Sequence, residues 1–566
     1  NFSKSVGRHK KVRDFRTQFV LCIWGMRATI QIPNIPEEAK SELVVQLLEI
    51  IKQQAELIQE LRDEIARLKG QTPRPKIAPS RLEQREKNKP NTNGKKRPGS
   101  DKRQKTSELM IHAEQKVTAE NIPEGSTFKG YKDFIVQDLR IEVHNTRFRL
   151  ECWQTPDGHY VTAPLPPQLN GKHFGTELIR FVLYQYHHCH VTQPLLLEQL
   201  SEMGVDISIG QLNNLLIEDN DVFHLEKDAI LATGLEVSTY VNVDDTGARH
   251  QGKNGYCTHI GNEWFSWFES TSSKSRINFL RLLRCGHSDY VINADAVAYW
   301  KSNKLPRSLL NPLSMDQSRT FDNDEQWDQY LKQKGIKGAR HIQITTEGAL
   351  IGSIIEHGVS RNLVVVSDDA GQFNVLLHAL CWIHAERSIN KITPVSEKGK
   401  KDLEEVLERF WQLYKELKAY KADPQPSEAE RLDELFDDIF TTRTSSATLN
   451  NALKRIYCNK SEMLLVLRYP EIPLHNNLSE NGIRDYVKKR KISGSTRSEA
   501  GRRSRDTFAT LKKTCRKLGI TFWQYLQDRM EKTQLIPSLS ELIRNRSLQN
   551  DWHISIPEKP RSPCWF

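Results

Sequence analysis

The sequence predicts a multidomain α/β protein. Three observations predict it. At 566 residues the chain has room for roughly three to four domains at ~150 residues each. Two apolar stretches, "YVNVDDTGARH" (240–250) and "NLVVVSDDAGQF" (362–373), read as buried strands. Each strand ends in two adjacent carboxylates and then, one residue further on, a glycine. The pattern around them is helical, and a charged helical block from about 391 to 466 separates the second acid pair from a later basic helix.

Composition bounds the class. Hydrophobic content of 37% and charged content of 27% are ordinary for a globular protein. The net charge of +11 is concentrated in two stretches. Residues 70–105 hold 12 Lys/Arg against 3 Asp/Glu, and residues 484–517 hold 13 against 3. Such stretches fit a polyanionic partner, nucleic acid above all, or else a solvated surface. The nine cysteines are scattered, odd in number and without a CxxC pair, which fits reduced thiols in a cytosolic protein. No apolar run reaches the ~18 residues of a membrane span.

The elements follow in order. Residues 1–40 read as an N-terminal extension, and Met26 offers an alternative start that makes the first 25 residues an upstream read-through. In 41–69, Val44, Ile51, Ile58 and Ile65 occupy one heptad position and Leu47, Gln54, Leu61 and Leu68 the other. Branched residues at a with Leu at d favour a two-stranded parallel coil, hence a homo-oligomer; a single helix packed on its own domain is the alternative. Residues 70–110, rich in Pro, Lys, Arg, Asn and Gly, read as a basic flexible linker.

Residues 111–235 form the next expected region. "DFIVQDLRIEV" and "RFRLECW" read as strands, and the pattern turns helical after about Gly175. Within it, 194–219 resembles a helix-turn-helix, with Gly204 in the turn and Ser208 as N-cap of the second helix. That helix would offer Gln211, Asn213 and Asn214 to base edges, or else form one arm of a plain helical hairpin. His187, His188, Cys189 and His190 lie upstream, but adjacent helical residues point apart and are not expected to share a metal ion.

The opening strand of the 236–390 region carries Asp244 and Asp245 at its end. "GYCTHIGN" and "EWFSWFEST" then read as a hairpin turning near Asn262 and Glu263, and "KSRINFLRLL" as an amphipathic helix. The second strand ends in Asp368 and Asp369. Strand ends gather ligands in α/β sheets, and carboxylates brought side by side repel unless a cation such as Mg²⁺ neutralises them. Asp can also simply close a turn. A third acid, Glu480, stands on a predicted helix within 467–520, followed at helical spacing by Arg484, Lys488 and Lys491. A C-terminal helical tail completes the chain over 521–566.

"VDDTGARH", "VVSDDAGQF", "CWIHAERS" and "NNLSENGIR…KRKISGS" together resemble transposases of the insertion-sequence-66 type, over roughly 110–530. The coil and basic linker are also similar to that family's layout. The resemblance implies an RNase H-like mixed sheet with helices, interrupted by a helical insertion and preceded by a coiled coil and a helical DNA-binding region. It implies a D-D-E triad of Asp244, Asp368 and Glu480 as catalytic residues and metal ligands. Asp245 stands where the family often has Glu, and with Asp369, His384 and Arg387 it is an accessory candidate. His384 orients a water or phosphate oxygen, or is a satisfied core histidine. No zinc is carried over, since Cys152 is alone near the family's Cys-rich element.

The implied cofactor is a pair of Mg²⁺ ions, with Mn²⁺ able to substitute, and the implied reaction is in-line cleavage and joining of DNA strands. Asp244 would bridge the metals, while Arg484, Lys488, Arg490 and Lys491 would neutralise phosphates. The implied partners are the DNA of element ends and target, with accessory proteins of the same element, and the implied location is the bacterial cytoplasm at the nucleoid. A structure-selective nuclease on the same fold and a non-catalytic DNA-binding remnant stay open as alternatives.

Overall fold

The computed structural model describes residues 110–166, 172–316 and 318–550, with six helical positions between 47 and 58. The N-terminal extension, the basic linker to residue 109, most of the expected coil and the end of the tail lie outside the described residues. The described chain divides into two compact units, the smaller holding 110–218 and 529–532 and the larger the other described residues.

In the smaller unit residues 110–151 form no regular element. The expected strands over 133–143 and 147–153 are therefore corrected to one short hairpin, β1 (Cys152–Gln154) against β2 (Tyr160–Thr162), with Cys152 opposite Thr162. The physical reason is the missing partner layer. An alternating apolar face stabilises a strand only when something covers it, and Phe134 is 90% and Leu139 79% exposed. Helix α1 (Thr176–Leu183) continues into a π-turn over Tyr184–His188. α2 (Gln193–Glu202) and α3 (Ile209–Ile217) then form the helical pair expected at 194–219. Gly204 makes the turn at φ +88°. Ser208 caps α3 in a reciprocal capping box with Gln211. Leu196 and Leu200 of α2 and Leu212 and Leu216 of α3 are buried.

The larger unit opens with α4 (Asp221–Val237) and then β3 (Tyr240–Gly247), β4 (Tyr256–Gly261) and β5 (Ser266–Thr271). The β4–β5 turn closes as expected on Asn262, whose side-chain oxygen accepts from the Trp264 backbone N–H at 2.9 Å. A long crossover follows: α5 (Arg276–Leu283), β6 (Tyr290–Ile292), α6 (Ala294–Ser302), α7 (Arg307–Ser314), β7 (Arg319–Phe321), α8 (Asp324–Gln333) and the largely buried α9 (Ala339–Glu356). It returns the chain to β8 (Val364–Ser367) and β9 (Leu377–Leu380). The five main strands lie in the order β5-β4-β3-β8-β9, with β4 antiparallel to its neighbours and β8 and β9 parallel to β3. This is a mixed α/β architecture.

After β9 come α10 (Trp382–Asn390) and the helices α11 (Glu397–Ala422), α12 (Pro426–Phe440), α13 (Ala447–Cys458) and α14 (Lys460–Met463). Their apolar faces bury Phe410, Leu413 and Phe436 in one core with Trp382 and with Val364, Val366 and Ala379 of the sheet. The charged faces point outward, as the sequence pattern of 391–466 requires.

Helix α15 (Asn477–Ser493) then crosses the sheet, and α16 (Glu499–Leu518) runs along its edge at β5. An edge strand presents unpaired backbone groups. Here α16 satisfies them with side chains. The N–H groups of Ser266, Phe268 and Ser270 donate to Thr514 Oγ1 (3.2 Å), Thr510 Oγ1 (3.0 Å) and Asp506 Oδ2 (2.8 Å). The match is metric: four helical residues rise ~6 Å, and two strand residues ~6.6–6.8 Å. Two more helices, α17 (Phe522–Glu531) and α18 (Leu539–Asn550), end the described chain. Among the described residues no helix is long and apolar enough to cross a membrane.

Candidate active site

Strand β3 outruns its parallel neighbour. Its pairing with β8 ends at Asn242 opposite Val366, while its pairing with β4 continues to Gly247 opposite Tyr256. The acids Asp244 and Asp245 therefore lie inside β3, not at its end as the sequence reading had it, but at the point where the sheet on the β8 side stops.

Alternation along β3 sends its two acids to opposite faces. Asn242 and Asn476, the residue before α15, form a double amide link. Asn242 Nδ2 donates to Asn476 Oδ1 at 2.9 Å, and Asn476 Nδ2 donates to the Val243 carbonyl at 2.7 Å. Two residues on from Asp244, Arg490 donates to Thr246 Oγ1 at 3.1 Å and to the Gly247 carbonyl. His259, opposite Asp244 on β4, meets Ser479 Oγ at 2.6 Å and Ser266 Oγ at 3.0 Å. Its burial depresses its pKa well below the ordinary value, with Lys517 and Lys513 adding to the effect, so it is a neutral bridge. Asn242, Asp244 and Thr246 thus share the face covered by α15, and Asp244 is buried there. Gly482 permits this approach, since a Cβ there would lie 2.8 Å from His259 Nε2.

Asp245 faces the other way. It accepts from Thr258 Oγ1 at 2.6 Å and from Gln372 Nε2 at 3.0 Å. Burial raises its pKa, and the nearby Asp368 adds to the rise against the lowering effect of those donors and of Lys274. Asp368 follows β8 directly, and its Oδ1 is buried without a hydrogen-bond partner. Asp369 is exposed by surface area, although burial and then Asp368 raise its pKa.

Glu480 sits in the first turn of α15. Its Oε1 accepts from Arg387 at 3.0 Å and lies 3.7 Å from His384 Nε2; its Oε2 lies 3.4 Å from Arg484. His384 and Arg387, one turn apart on α10, thus both address Glu480. Among the described residues, the groups of three His, Cys, Asp or Glu whose ligating atoms all lie within 4.8 Å of one another do not include Asp244, Asp368 and Glu480. The third carboxylate is drawn toward α10.

On α15 Arg484, Lys488 and Lys491 are exposed, spaced along one side, whereas Arg490 is used to hold the end of β3. The basic stretch is less of a surface than its charge count suggests. Lys489, Arg505 and Lys512 are buried. Lys512 pairs with Asp485 at 2.8 Å, and Lys517 donates to the Phe265 carbonyl at 2.8 Å. Burial lowers the pKa of Lys489 and of Lys517 to about 7 in each case. On α3, Gln211 is committed to the helix cap and Asn213 accepts from Gln193 at 3.1 Å, while Asn214 is exposed.

Sequence reasoning did not pick out Asn242, His259, Ser479 or Asn476, which hold α15 on β3. Asn476 lay within the quoted "NNLSENG", but an Asn before a helix reads first as a cap. A basic helix thus crosses the sheet over one strand-borne acid. A family model described as "Transposase IS66 family" matches residues 352–504, the span that holds Asp368, His384, Arg387, Glu480 and the basic side of α15. An uncharacterized protein, y4jO, from Sinorhizobium fredii (strain NBRC 101917 / NGR234) is 43% identical over 317 residues, 56% of this chain and 99% of that protein. The chain belongs to the IS66 transposase family, and so to a class of DNA-processing proteins.

Proposed function

We propose that the protein is a DNA transposase that cleaves and joins strands at Asp244, Asp368 and Glu480 on an RNase H-like core. The observation that carries the reading is the position of Asp244. It stands on the α15 face of the central strand, while Asp245 is committed to Thr258 and Gln372 on the other. The strand order 3-2-1-4-5, with its second strand antiparallel, supports the fold reading.

The site suits a divalent cation. A buried carboxylate oxygen without a donor, Asp368 Oδ1, is costly unless a cation satisfies it. Asp244 and Asp368 would hold Mg²⁺, and Glu480 joins them on leaving Arg387. Bound there, Mg²⁺ supplies charge neutralisation and an activated water or 3′-hydroxyl. The chain's own residues do the rest. Asn476 and Arg490 fix α15 on β3 at both ends. Arg484, Lys488 and Lys491 bind backbone phosphates along its exposed side. Arg387 and His384 hold Glu480 until substrate arrives.

The test is a strand-transfer assay with labelled element-end DNA and Mg²⁺. Cleaved and joined products are expected from the wild type, with both lost by at least about a thousandfold in Asp244→Asn and Glu480→Gln. Cleavage without joining supports a nuclease instead. One observation favours a second, non-catalytic reading: Glu480 is held by Arg387. On that reading DNA binding persists, no product forms, and Asp244→Asn changes nothing.

A further inference from the structure

A second cluster of metal-ligating side chains lies on the crossover between β5 and β8, apart from the acids described above. His287 and Asp289 stand in the loop between α5 and β6, and His357 follows the last residue of α9. One ligating atom from each lies within 4.8 Å of the other two. His357 Nε2 is 3.0 Å from Asp289 Oδ1, and the two imidazoles stack with centroids 3.5 Å apart and planes 6° from parallel.

The loop is shaped to bring this about. Cys285 and Gly286 both adopt positive φ, +54° and +88°, a left-handed pair that turns His287 back over α9. Arg284 donates to the Asp289 carbonyl at 2.6 Å and so closes the turn. Asp289 is also held from α9, since the buried Ser353 hydroxyl donates at 3.0 Å to the same Oδ1 that faces His357. An outer donor that fixes a carboxylate is the usual companion of a metal ligand.

We infer that His287, Asp289 and His357 bind a Zn²⁺-type ion, with water completing the shell. Tetrahedral zinc at ~2.0–2.1 Å sets its donors about 3.3 Å apart, and an imidazole lone pair lies in its ring plane, so the exposed His287 ring has to turn out of the parallel stack for both rings to meet one ion. A ring nitrogen of His357 that takes the ion gives it a lone pair, so the imidazole proton sits on its other nitrogen. Two imidazoles select Zn²⁺ over Mg²⁺, which prefers oxygen donors and its own waters. The site therefore differs in metal from the proposed catalytic one. It ties the β6 loop to the end of α9, from which the chain enters β8 and reaches Asp368.

The full-length protein, stripped with chelator, loaded with Zn²⁺ in millimolar Mg²⁺ and freed of excess by gel filtration, provides the test. Metal analysis should find about one zinc per chain in the wild type and in Asp244→Asn. His357→Ala and His287→Ala should retain less than about a tenth of that. Zinc should raise the thermal unfolding midpoint of the first two proteins and not of the last two. His287 is on an exposed loop, so its variant reads out even where the helix-end change disturbs folding. Equal zinc in the wild type, His287→Ala and His357→Ala, or none in the wild type, overturns the inference.

Discussion

Asp506 gives the sharpest quantitative expectation. It is fully buried, and its carboxylate accepts from Ser270 N–H (2.8 Å), Ser270 Oγ (3.0 Å) and Tyr486 Oη (2.9 Å). It therefore joins the capped edge of β5 to α15. Burial first, and then Glu269, pushes its pKa from 3.8 up to about 7. The folded carboxyl holds its proton more tightly than the unfolded one. Its contribution to stability is intact below about pH 4 and is lost as pH rises through about 7. Three units at ~1.4 kcal/mol each make the charged form cost roughly 4 kcal/mol at pH 8. Asp506→Asn removes that cost and keeps every partner. The amide oxygen accepts the Ser270 N–H, and the amide nitrogen donates to hydroxyls that are free to reverse. Asp506→Ala instead orphans the Ser270 N–H and one hydroxyl, at ~1–3 kcal/mol each. Urea unfolding followed by tryptophan fluorescence at pH 5 and pH 8 reads the difference. Asp506→Asn should exceed the wild type, with the gap widening by roughly 2–3 kcal/mol between the two pH values. A gap that stays flat with pH, or an Asn variant as damaged as the Ala variant, refutes the reasoning.

Two further outcomes follow from the packing and charge of α15. Gly482→Ala places a methyl 2.8 Å from His259 Nε2, so overpacking should cost about 1–3 kcal/mol, seen as a lower urea midpoint. Replacing Lys488 and Lys491 by Gln should weaken DNA binding equally across sequences and reduce the slope of log K against log salt by about 2 in a binding titration.

Much of the larger unit was legible because its signals are local. The run Leu363–Val366 is apolar enough to require burial on both faces, and Asn262 between two alternating stretches marks a hairpin turn. The Ser208 cap was legible for the same reason. The strands expected in 133–153 failed on a non-local condition, because alternation describes a face and not what covers it. The edge cap of β5 was hidden too. Asp506, Thr510 and Thr514 recur every four residues, but they sit in a stretch whose Lys and Arg dominate any reading of charge. Counting those cations as surface overstated the basic face, since burial of Lys489, Arg505 and Lys512 depends on partners from distant segments.

The adjacent acids illustrate what periodicity alone decides. Neighbouring residues in a strand cannot point to one ion, so Asp244 and Asp245 divide between two faces. The resemblance ranks Asp244 first, and the strand's register sets the two acids on opposite faces. Asn242 and Thr246, two residues either side of Asp244, are each bonded from the α15 segment, and Glu480 lies on that helix. Asp245 instead meets Gln372 beyond β8, so it helps fix the loop that carries Asp368. One acid thus faces the helix that carries Glu480, and its neighbour braces the loop that presents Asp368. What neither spacing nor parity encodes is the resting position of Glu480, because Arg387 reaches it from a helix 93 residues earlier in the chain. On the proposed function, that ion pair has to break before Glu480 can approach the other two acids.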